Sequence, residues 1–401
     1  MKQHKLSPYK YLRKIDEHNV YYIETQDDLH EVVRRLKDAD LIAIDLEFDR
    51  NRHHYGFTLC LLQIAYDGNC YLIDPLSDCI DHIDTKKLAP LWEVLANPNS
   101  IKILHSPSED IRLLKLSGCD ICNIFDTDIA SKLTLQPTKS YKDLLEKRLN
   151  IILEKDQQTS DWYKRPLTPF QLQYAAKDVL YLAELRRQLM VDLEQLGRME
   201  WFNEEMLLLE RLEETDVEDP HLRVKGAKQL SDEEQYVLKA LHAYRNEQAK
   251  LLNKPPFQTI EDTLLLDLIT YTQPTLDNWT QARGKHPKLK NDRTIKILQQ
   301  LIQTAYTEAQ NIPKQVYHIT REERLESYKR REALIQCRET FKPLRDHLQT
   351  QFGDAATLIF NTKLVDDLCT GRRKITDLKQ YTQPIVRQAA QELGIDLSNY
   401  D

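Results

Sequence analysis

Two acidic residues stand two positions apart at the end of an aliphatic run. The segment LIAIDLEFDR places Asp45 and Glu47 directly after residues 41–44. On a β-strand, residues i and i+2 point to the same face, so both carboxylates project together while Ile44 and Leu46 point into a core. Like charges this close repel unless a cation lies between them, and Mg²⁺ prefers oxygen ligands. The pair alone also fits a polar strand end near solvent.

A second acidic position follows the next buried strand, in ILHSPSEDIRLLK. Ser106, Pro107 and Glu109 predict a helix start with a cap, a first-position proline and a capping box. Asp110 then falls in the first turn, where a carboxylate also complements the helix dipole. Because α/β proteins place sites at the carboxyl ends of strands, we expect Asp110 to lie near Asp45.

A third stretch, DWYKRPLTPFQLQYAAKDVLYL, begins a long helix. Thr168 and Pro169, with a glutamine three residues after the threonine, predict its first turn, and the helix is expected to run over 168–196. Tyr174 and Asp178 are one turn apart and share a face. A tyrosine alone is usually a core aromatic residue, but the aspartate one turn later favours a functional face.

In this order the three stretches resemble the motifs of the DEDD exonuclease superfamily, and Tyr-x-x-x-Asp is typical of its DEDDy subgroup. FDR…YGFTLCLLQIA, NIFDTDIAS and DWYKRPLT…YAAKDVLYL resemble the ribonuclease D family in particular, over about residues 20–200. The resemblance implies an α/β exonuclease domain with a ribonuclease H-like mixed sheet flanked by helices. By position it implies four carboxylate ligands for two divalent ions (Mg²⁺ or Mn²⁺), Asp45, Glu47, Asp110 and Asp178, and one catalytic residue that orients the attacking water, Tyr174.

Three residues that lie between the second motif and the helix of the third motif have other predicted roles. Asp126 matches a family aspartate that we expect to be structural, as the cap of a helix at residues 127–135. Lys164 and Arg165 lie just before the third motif and could contact a phosphate group of the nucleic acid. A salt bridge is an equally good explanation for Arg165.

The implied reaction is hydrolysis of phosphodiester bonds from the 3′ end of RNA, with release of nucleoside 5′-monophosphates. Two divalent ions about 4 Å apart can stabilise the attacking and leaving oxygens of an in-line phosphoryl transfer. The expected substrates are tRNA precursors with 3′ extensions. Two alternatives stay open: a 3′–5′ DNA exonuclease of the same superfamily, and a catalytically silent scaffold that binds nucleic acid.

The second half of the chain reads as helices only, from about Trp201 onward. Ser231 and Glu234 form a predicted capping box before a long amphipathic helix. ALHAYRNEQAKLLNKPPFQTIEDTLLLDL resembles an HRDC domain, and the block from Glu322 resembles a second one less closely. The predicted organisation is therefore an exonuclease domain, a linker and two all-α HRDC-type domains, at residues 1–205, 206–228, 229–312 and 320–401.

Basic residues cluster in RGKHPKLKNDRTIK. We expect Lys288, Lys290 and Arg293, here called the basic segment, to contact RNA phosphates. Such runs are just as often a solvated face, and that reading has equal weight.

The composition of the chain restricts the functions and locations that are expected. The net charge is −7, which argues against coating of nucleic acid by bulk charge. No apolar run approaches the roughly 18–20 residues of a membrane span, so no membrane partner is expected. The seven cysteines are an odd number, which suggests reduced thiols and a cytoplasmic location. The protein is expected to be a monomer. Cys119 and Cys122 are predicted to be buried thiols rather than metal ligands.

Overall fold

The computed structural model describes residues 10–78, 82–83, 87–134, 140–153, 159–213, 219–270, 279, 281–311 and 321–401. These residues fall into two compact units. One lies within Met1–Glu47, Leu59–Glu214 and Leu325–Asp401, and the other within Phe48–Thr58 and Thr215–Arg324. The four domain bounds expected from the sequence stay a prediction.

A seven-stranded mixed sheet forms the centre of the first unit. In order across the sheet the strands are β1 (Lys10–Ile15), β2 (His18–Ile23), β5 (Asn69–Ile73), β4 (Phe57–Tyr66), β3 (Leu41–Arg50), β6 (Ile101–Leu104) and β7 (Ile124–Asp126). The pairs β1/β2 and β4/β5 are antiparallel, and β2/β5, β3/β6 and β6/β7 are parallel. The predicted α/β class with a mixed sheet is confirmed.

The β4–β5 hairpin has the predicted tight turn. Asp67 and Gly68 have φ values of +48° and +71°, between the paired residues Tyr66 and Asn69. Two consecutive positive φ angles match the twist of the flanking strands, and Asp-Gly adopts them with little strain.

The described residues before 214 also form eight helices. They are α1 (Gln26–Leu36), α2 (Ala89–Leu95), α3 (Ser108–Leu116), α4 (Thr127–Lys132), α5 (Tyr141–Leu149), α6 (Pro169–Leu180), α7 (Leu182–Gln195) and α8 (Met199–Glu210). The prediction of one helix over 168–196 was wrong, because the helix is interrupted at Tyr181. There the backbone N–H donates to the carbonyl of Val179 instead of to the residue four positions back.

The start of α3 also differs from the prediction. Ser106 does not cap the helix: it has a φ of +53°, and its N–H donates to Oδ1 of Asp126 at 2.9 Å. Pro107 is the residue that precedes the helix, and no side chain caps it there. The sequence correctly placed Asp110 in the first turn but not the residue that begins the helix.

Helices make up the described chain after α8. The second unit contains α9 (Asp232–Leu252), α10 (Pro256–Thr259), α11 (Asp262–Thr270) and α12 (Asp292–Asn311), and α13 (Arg321–Phe352), α14 (Ala356–Ile359), α15 (Thr362–Cys369) and α16 (Thr382–Leu393) follow. The predicted capping box of Ser231 and Glu234 forms at the start of α9. Within the described part of the chain, the predicted end of strand structure is confirmed.

The carboxy-terminal helices pack directly on α8, within the first unit. The Glu205 carboxylate, which is buried, accepts hydrogen bonds from Lys379 Nζ and the Tyr381 hydroxyl. The ring of Tyr381 stacks on Trp201 with centroids 5.0 Å apart. In the predicted linker 206–228, residues 206–210 belong to α8, and 214–218 lie outside the described residues.

The expectation of reduced thiols was wrong for one pair of cysteines. Cys337 on α13 and Cys369 on α15 form a disulfide, because the packing of the two helices brings their Cα atoms to 5.8 Å. Cys119 and Cys122 are free thiols; Cys119 is buried, as predicted, whereas Cys122 is half-buried. Their sulfur atoms contact the carbonyl oxygens of Trp92 and Ala96.

Candidate active site

Three carboxylates from distant parts of the chain meet at the surface of β3. Asp45 and Glu47 project from the strand, and Asp178 comes from the last turn of α6. Each offers an oxygen atom, and the three oxygens all lie within 4.8 Å of one another. All three side chains are half-buried, whereas Ile44 and Leu46 on the opposite face are buried in the core. The alternation expected from the sequence therefore builds an acidic group on one face of the sheet.

Helix α6 is held firmly at its start. The Thr168 hydroxyl accepts from the Gln171 N–H at 3.2 Å, and the Gln171 side-chain oxygen accepts from the Thr168 N–H at 3.0 Å. Pro169 occupies the first position, and the Gln171 amide also donates to the Asp161 carbonyl. The predicted capping box is confirmed, and it fixes the first turn of the helix that bears Tyr174 and Asp178.

Burial and the charge of neighbouring carboxylates raise the pKa of Asp45. Burial raises the pKa of Asp45 well above its ordinary value, and the charges of Asp178 and Asp110 raise it further. Burial also raises the pKa of Asp110, to about 7. Asp110 is not among the three residues whose oxygens lie within 4.8 Å, yet its charge acts on Asp45 from the first turn of α3. Asp110 therefore lies outside the group of three, and its role as a fourth ligand stays a prediction.

Tyr174 lies one helical turn before Asp178 on α6 and is half-buried. Its ring packs at 42° to that of Trp162, with centroids 6.1 Å apart. Trp162 is buried, so the tyrosine ring is supported on one side by a fixed neighbour. Tyr174 and Asp178 are one turn apart on α6, which is the i, i+4 spacing expected from the sequence.

The acidic group fits a hard divalent cation. Carboxylate oxygens are the donors that Mg²⁺ and Mn²⁺ prefer, and a cation among them would remove the repulsion that raises the pKa of Asp45. Asp45, Glu47 and Asp178 would hold such an ion. The ion would supply charge stabilisation to a phosphoryl group in transfer.

Arg165 has a structural role in this unit. Its guanidinium donates to both carboxylate oxygens of Asp74 and to the carbonyls of Cys60, Trp162 and Lys164. Because these bonds engage all five N–H groups, no donor is left for a phosphate. Of the two interpretations offered by the sequence, the salt bridge is the one that the structure supports.

The remaining predicted positions are simpler to place. Lys164 is exposed, as are Lys288, Lys290 and Arg293 of the basic segment. Asp126 caps α4 through the Asp128 N–H at 2.8 Å, so its predicted structural role is confirmed. Helix α4 ends at Lys132 rather than at residue 135, which lies outside the described residues.

One residue near the acidic group had no signal in the sequence. Tyr141 begins α5, and its hydroxyl donates to the carbonyl of Lys177 on α6 at 3.0 Å. Burial raises its pKa strongly, and the charges of Asp178 and Asp45 raise it further. Its distance in sequence from all three motifs hid it, since no periodicity links position 141 to position 178.

The sheet, the helices around it and the acidic group on β3 together have the features of a 3′–5′ exonuclease domain. Residues 20–194 match the model of a 3′–5′ exonuclease family. Ribonuclease D of Shewanella sp. (strain ANA-3) is 36% identical over 233 residues, which are 57% of this chain and 58% of that protein. Ribonuclease D of Pseudomonas paraeruginosa is 30% identical over 273 residues, or 67% of this chain and 70% of that one. The chain belongs to the ribonuclease D family.

A solved structure shares the fold over nearly the whole chain. Escherichia coli RNase D superposes with a TM-score of 0.66 at 22% identity, covering 93% of this chain and 99% of that one. The similarity in sequence to the curated relatives covers a smaller part of their length. The chain spans 58% of the Shewanella protein and 65% of the Desulfotalea psychrophila protein, so about three-fifths of these relatives is matched.

We expect Mg²⁺ to raise the Tm more at pH 8 than at pH 5. In the metal-free protein the raised pKa values of Asp45 and Asp110 keep protons bound that the unfolded chain releases near pH 4. The free energy of unfolding therefore loses this contribution as the pH rises from about 4 to above 7. A cation that pairs with the ionised carboxylates restores this free energy. It does so only at the higher pH, where the carboxylates are ionised.

Thermal unfolding with Mg²⁺ or with EDTA across this pH range would test the expectation. The lowered pKa values of His105 and His242, both about 4, act with the opposite sign between about pH 4 and 6.5. Subtracting the EDTA curve from the Mg²⁺ curve removes that contribution. A metal-induced shift in Tm that is equal at pH 5 and pH 8 would contradict the expectation.

Proposed function

We propose that this protein is a metal-dependent 3′–5′ exoribonuclease that releases nucleoside 5′-monophosphates from the 3′ end of RNA. The observation that carries the proposal is the group formed by Asp45, Glu47 and Asp178, in a chain of the ribonuclease D family. Two divalent ions, Mg²⁺ or Mn²⁺, are the proposed cofactors, with Asp110 as the fourth ligand. Membership of the family supports RNA as the substrate.

The roles of the chain's own residues follow from their positions. Asp45 and Glu47 stand on a rigid strand, so their oxygens are held in place before the substrate arrives. Tyr174 lies one turn from Asp178, where its hydroxyl can hydrogen-bond the water that attacks the last phosphodiester bond. None of these proposed roles involves a contact with a base, which suits stepwise removal of nucleotides regardless of sequence.

Structured RNA precursors, tRNA with a 3′ extension among them, are the proposed substrates. Escherichia coli RNase D, which shares the fold, is an exoribonuclease involved in structured RNA processing. The exposure of the basic segment supports contact with RNA phosphates. Lys285, in the same stretch, is buried over the ring of Trp279 and is structural.

We also propose that the protein acts as a monomer in the cytoplasm, where such precursors occur. Among the described residues, no helix is both long enough and apolar enough to cross a membrane.

A direct assay would compare a tRNA precursor carrying a 3′ extension with a DNA strand of the same 3′ sequence, both labelled at the 5′ end. With Mg²⁺ or Mn²⁺ we expect the RNA to shorten one nucleotide at a time and to release 5′-monophosphates, and EDTA should stop the reaction. Faster shortening of DNA would favour the DNA exonuclease. Binding of RNA without shortening under any metal would favour the silent scaffold.

Replacing Lys288, Lys290 and Arg293 together with alanine should weaken RNA binding at low salt. Each phosphate contact contributes about one unit to the slope of log K against log salt, so the slope should fall by up to about three. The rate at saturating RNA should stay within about twofold, since none of the three is a proposed metal ligand or a residue that orients the attacking water.

A matched control replaces three exposed cations of the other unit, Lys14, Arg34 and Lys37. Filter binding between about 50 and 200 mM salt would measure both variants, in the range where phosphate contacts dominate. If both triple variants lost the same affinity, the basic segment would be no more than a solvated face.

A further inference from the structure

Tyr141 connects the helix that bears Asp178 to the strand that leads to Asp110. It is the first residue of α5, which is fixed by the Ser140 hydroxyl accepting from the Asp143 N–H at 3.2 Å. Neither the sequence motifs nor the function proposed above assigns it a role. Its contacts reach two of the three segments that build the acidic group.

The first contact is made by the hydroxyl. Tyr141 Oη donates to the carbonyl of Lys177 at 3.0 Å. Lys177 is in the last turn of α6, where carbonyls have no partner within the helix. The N–H four residues on, that of Tyr181, would ordinarily pair with it but donates to Val179. Because α6 ends at Leu180, the Lys177 carbonyl lacks its usual donor within the helix, and Tyr141 supplies one. Lys177 is the residue next to Asp178.

The second contact is made by the ring. It packs against His105 with centroids 5.1 Å apart and an interplanar angle of 49°. His105 directly follows β6, and its Nδ1 hydrogen-bonds the Thr127 hydroxyl at 2.9 Å. That hydroxyl donates its own hydrogen to the Leu104 carbonyl at 3.1 Å, so the Nδ1–H of His105 is the donor. The imidazole is therefore held in one orientation and gives the tyrosine ring a fixed wall.

We propose that Tyr141 is a positioning residue, which holds the last turn of α6 so that Asp178 stays at metal-binding distance from Asp45 and Glu47. The inference rests on the proposed function, because it concerns the same metal site. The strongly raised pKa of Tyr141 keeps its hydroxyl protonated and able to donate at neutral pH. Partners that orient a metal ligand from outside typically change metal affinity by about 10–100-fold when removed.

Tyr141→Phe would remove the hydroxyl and keep the ring on His105. We expect Mn²⁺ affinity, measured by isothermal titration calorimetry, to fall by about tenfold. At limiting Mn²⁺ the rate should fall by the same factor, and saturating Mn²⁺ should restore it to within about twofold. The KM for RNA should not change, because the residue acts on Asp178 and not on the substrate. The rates are compared at a temperature well below the Tm of both proteins, so that a general loss of stability does not contribute to the difference.

Tyr306→Phe is a matched control. Tyr306 Oη donates to the carbonyl of Ile269 at 3.2 Å, in the last turn of α11 in the second unit. The control therefore removes the same kind of bond from a helix end without an acidic site. Its Mn²⁺ affinity and rate should equal those of the wild type, and both variants should show a similar small drop in Tm.

The outcomes separate the two proposals. If the wild type shortens RNA with metal but Tyr141→Phe binds Mn²⁺ with unchanged affinity, the positioning role is overturned and the proposed function stands. If the wild type neither binds Mn²⁺ nor shortens RNA, both are overturned. If Tyr141→Phe has a low Tm without metal, the Mn²⁺-induced increase in Tm can be compared with that of the wild type instead of the calorimetric affinity.

Discussion

Asp178→Asn should reduce hydrolysis of the RNA 3′ end by about three orders of magnitude and leave the protein folded. An amide cannot replace the negative charge that balances the cations, and a loss of about 4 kcal/mol of transition-state stabilisation corresponds to this factor. Asp178 also raises the pKa of Asp45 by repulsion. Removing that charge should therefore leave the Tm of the metal-free protein equal to or higher than that of the wild type.

End-labelled RNA and thermal unfolding, each with and without Mg²⁺, would measure both effects. Asp192→Asn is a suitable control, because Asp192 is a half-buried helix carboxylate that pairs with Arg148 at 2.5 Å and is not part of the acidic group. That variant should retain its rate and its Mg²⁺-induced shift in Tm. Equal activity of Asp178→Asn and the wild type would remove the assignment of the metal site.

Tyr174→Phe should slow the chemical step by about 100-fold while metal binding stays intact. The hydroxyl is proposed to orient the attacking water, and loss of one such group typically costs about 10²–10³ in rate. It is not a proposed metal ligand, so the Mn²⁺ affinity should equal that of the wild type. The remaining ring keeps its packing on Trp162, so the fold is retained.

Single-turnover digestion at saturating RNA isolates this step from binding and product release. The contrast with Tyr141→Phe is informative, since high Mn²⁺ should rescue that variant but not Tyr174→Phe. A single-turnover rate for Tyr174→Phe within twofold of the wild type would show that the hydroxyl does not act on the water.

Patterns of short range explain what could be predicted. The i, i+2 alternation placed Asp45 and Glu47 on one face of β3, and the capping box of Thr168 and Gln171 fixed where α6 begins. These features depend on backbone geometry within a few residues, which the local sequence specifies. The failures nearby were also local: Ser106 adopts a positive φ, and the helix expected over 168–196 breaks at Tyr181. In both cases a contact with a distant residue or an alternative backbone bond outweighed the local preference.

The sequence by itself determined the acidic residues, their order along the chain, the mixed α/β class and the helical second half. Only the tertiary structure decided that Arg165 is bound to Asp74, that Cys337 is joined to Cys369, and that Tyr141 reaches the carbonyl beside Asp178. The physical reason is separation along the chain. These contacts join residues 32 to 91 positions apart, and no repeating pattern records which distant side chains the packing of strands and helices brings together.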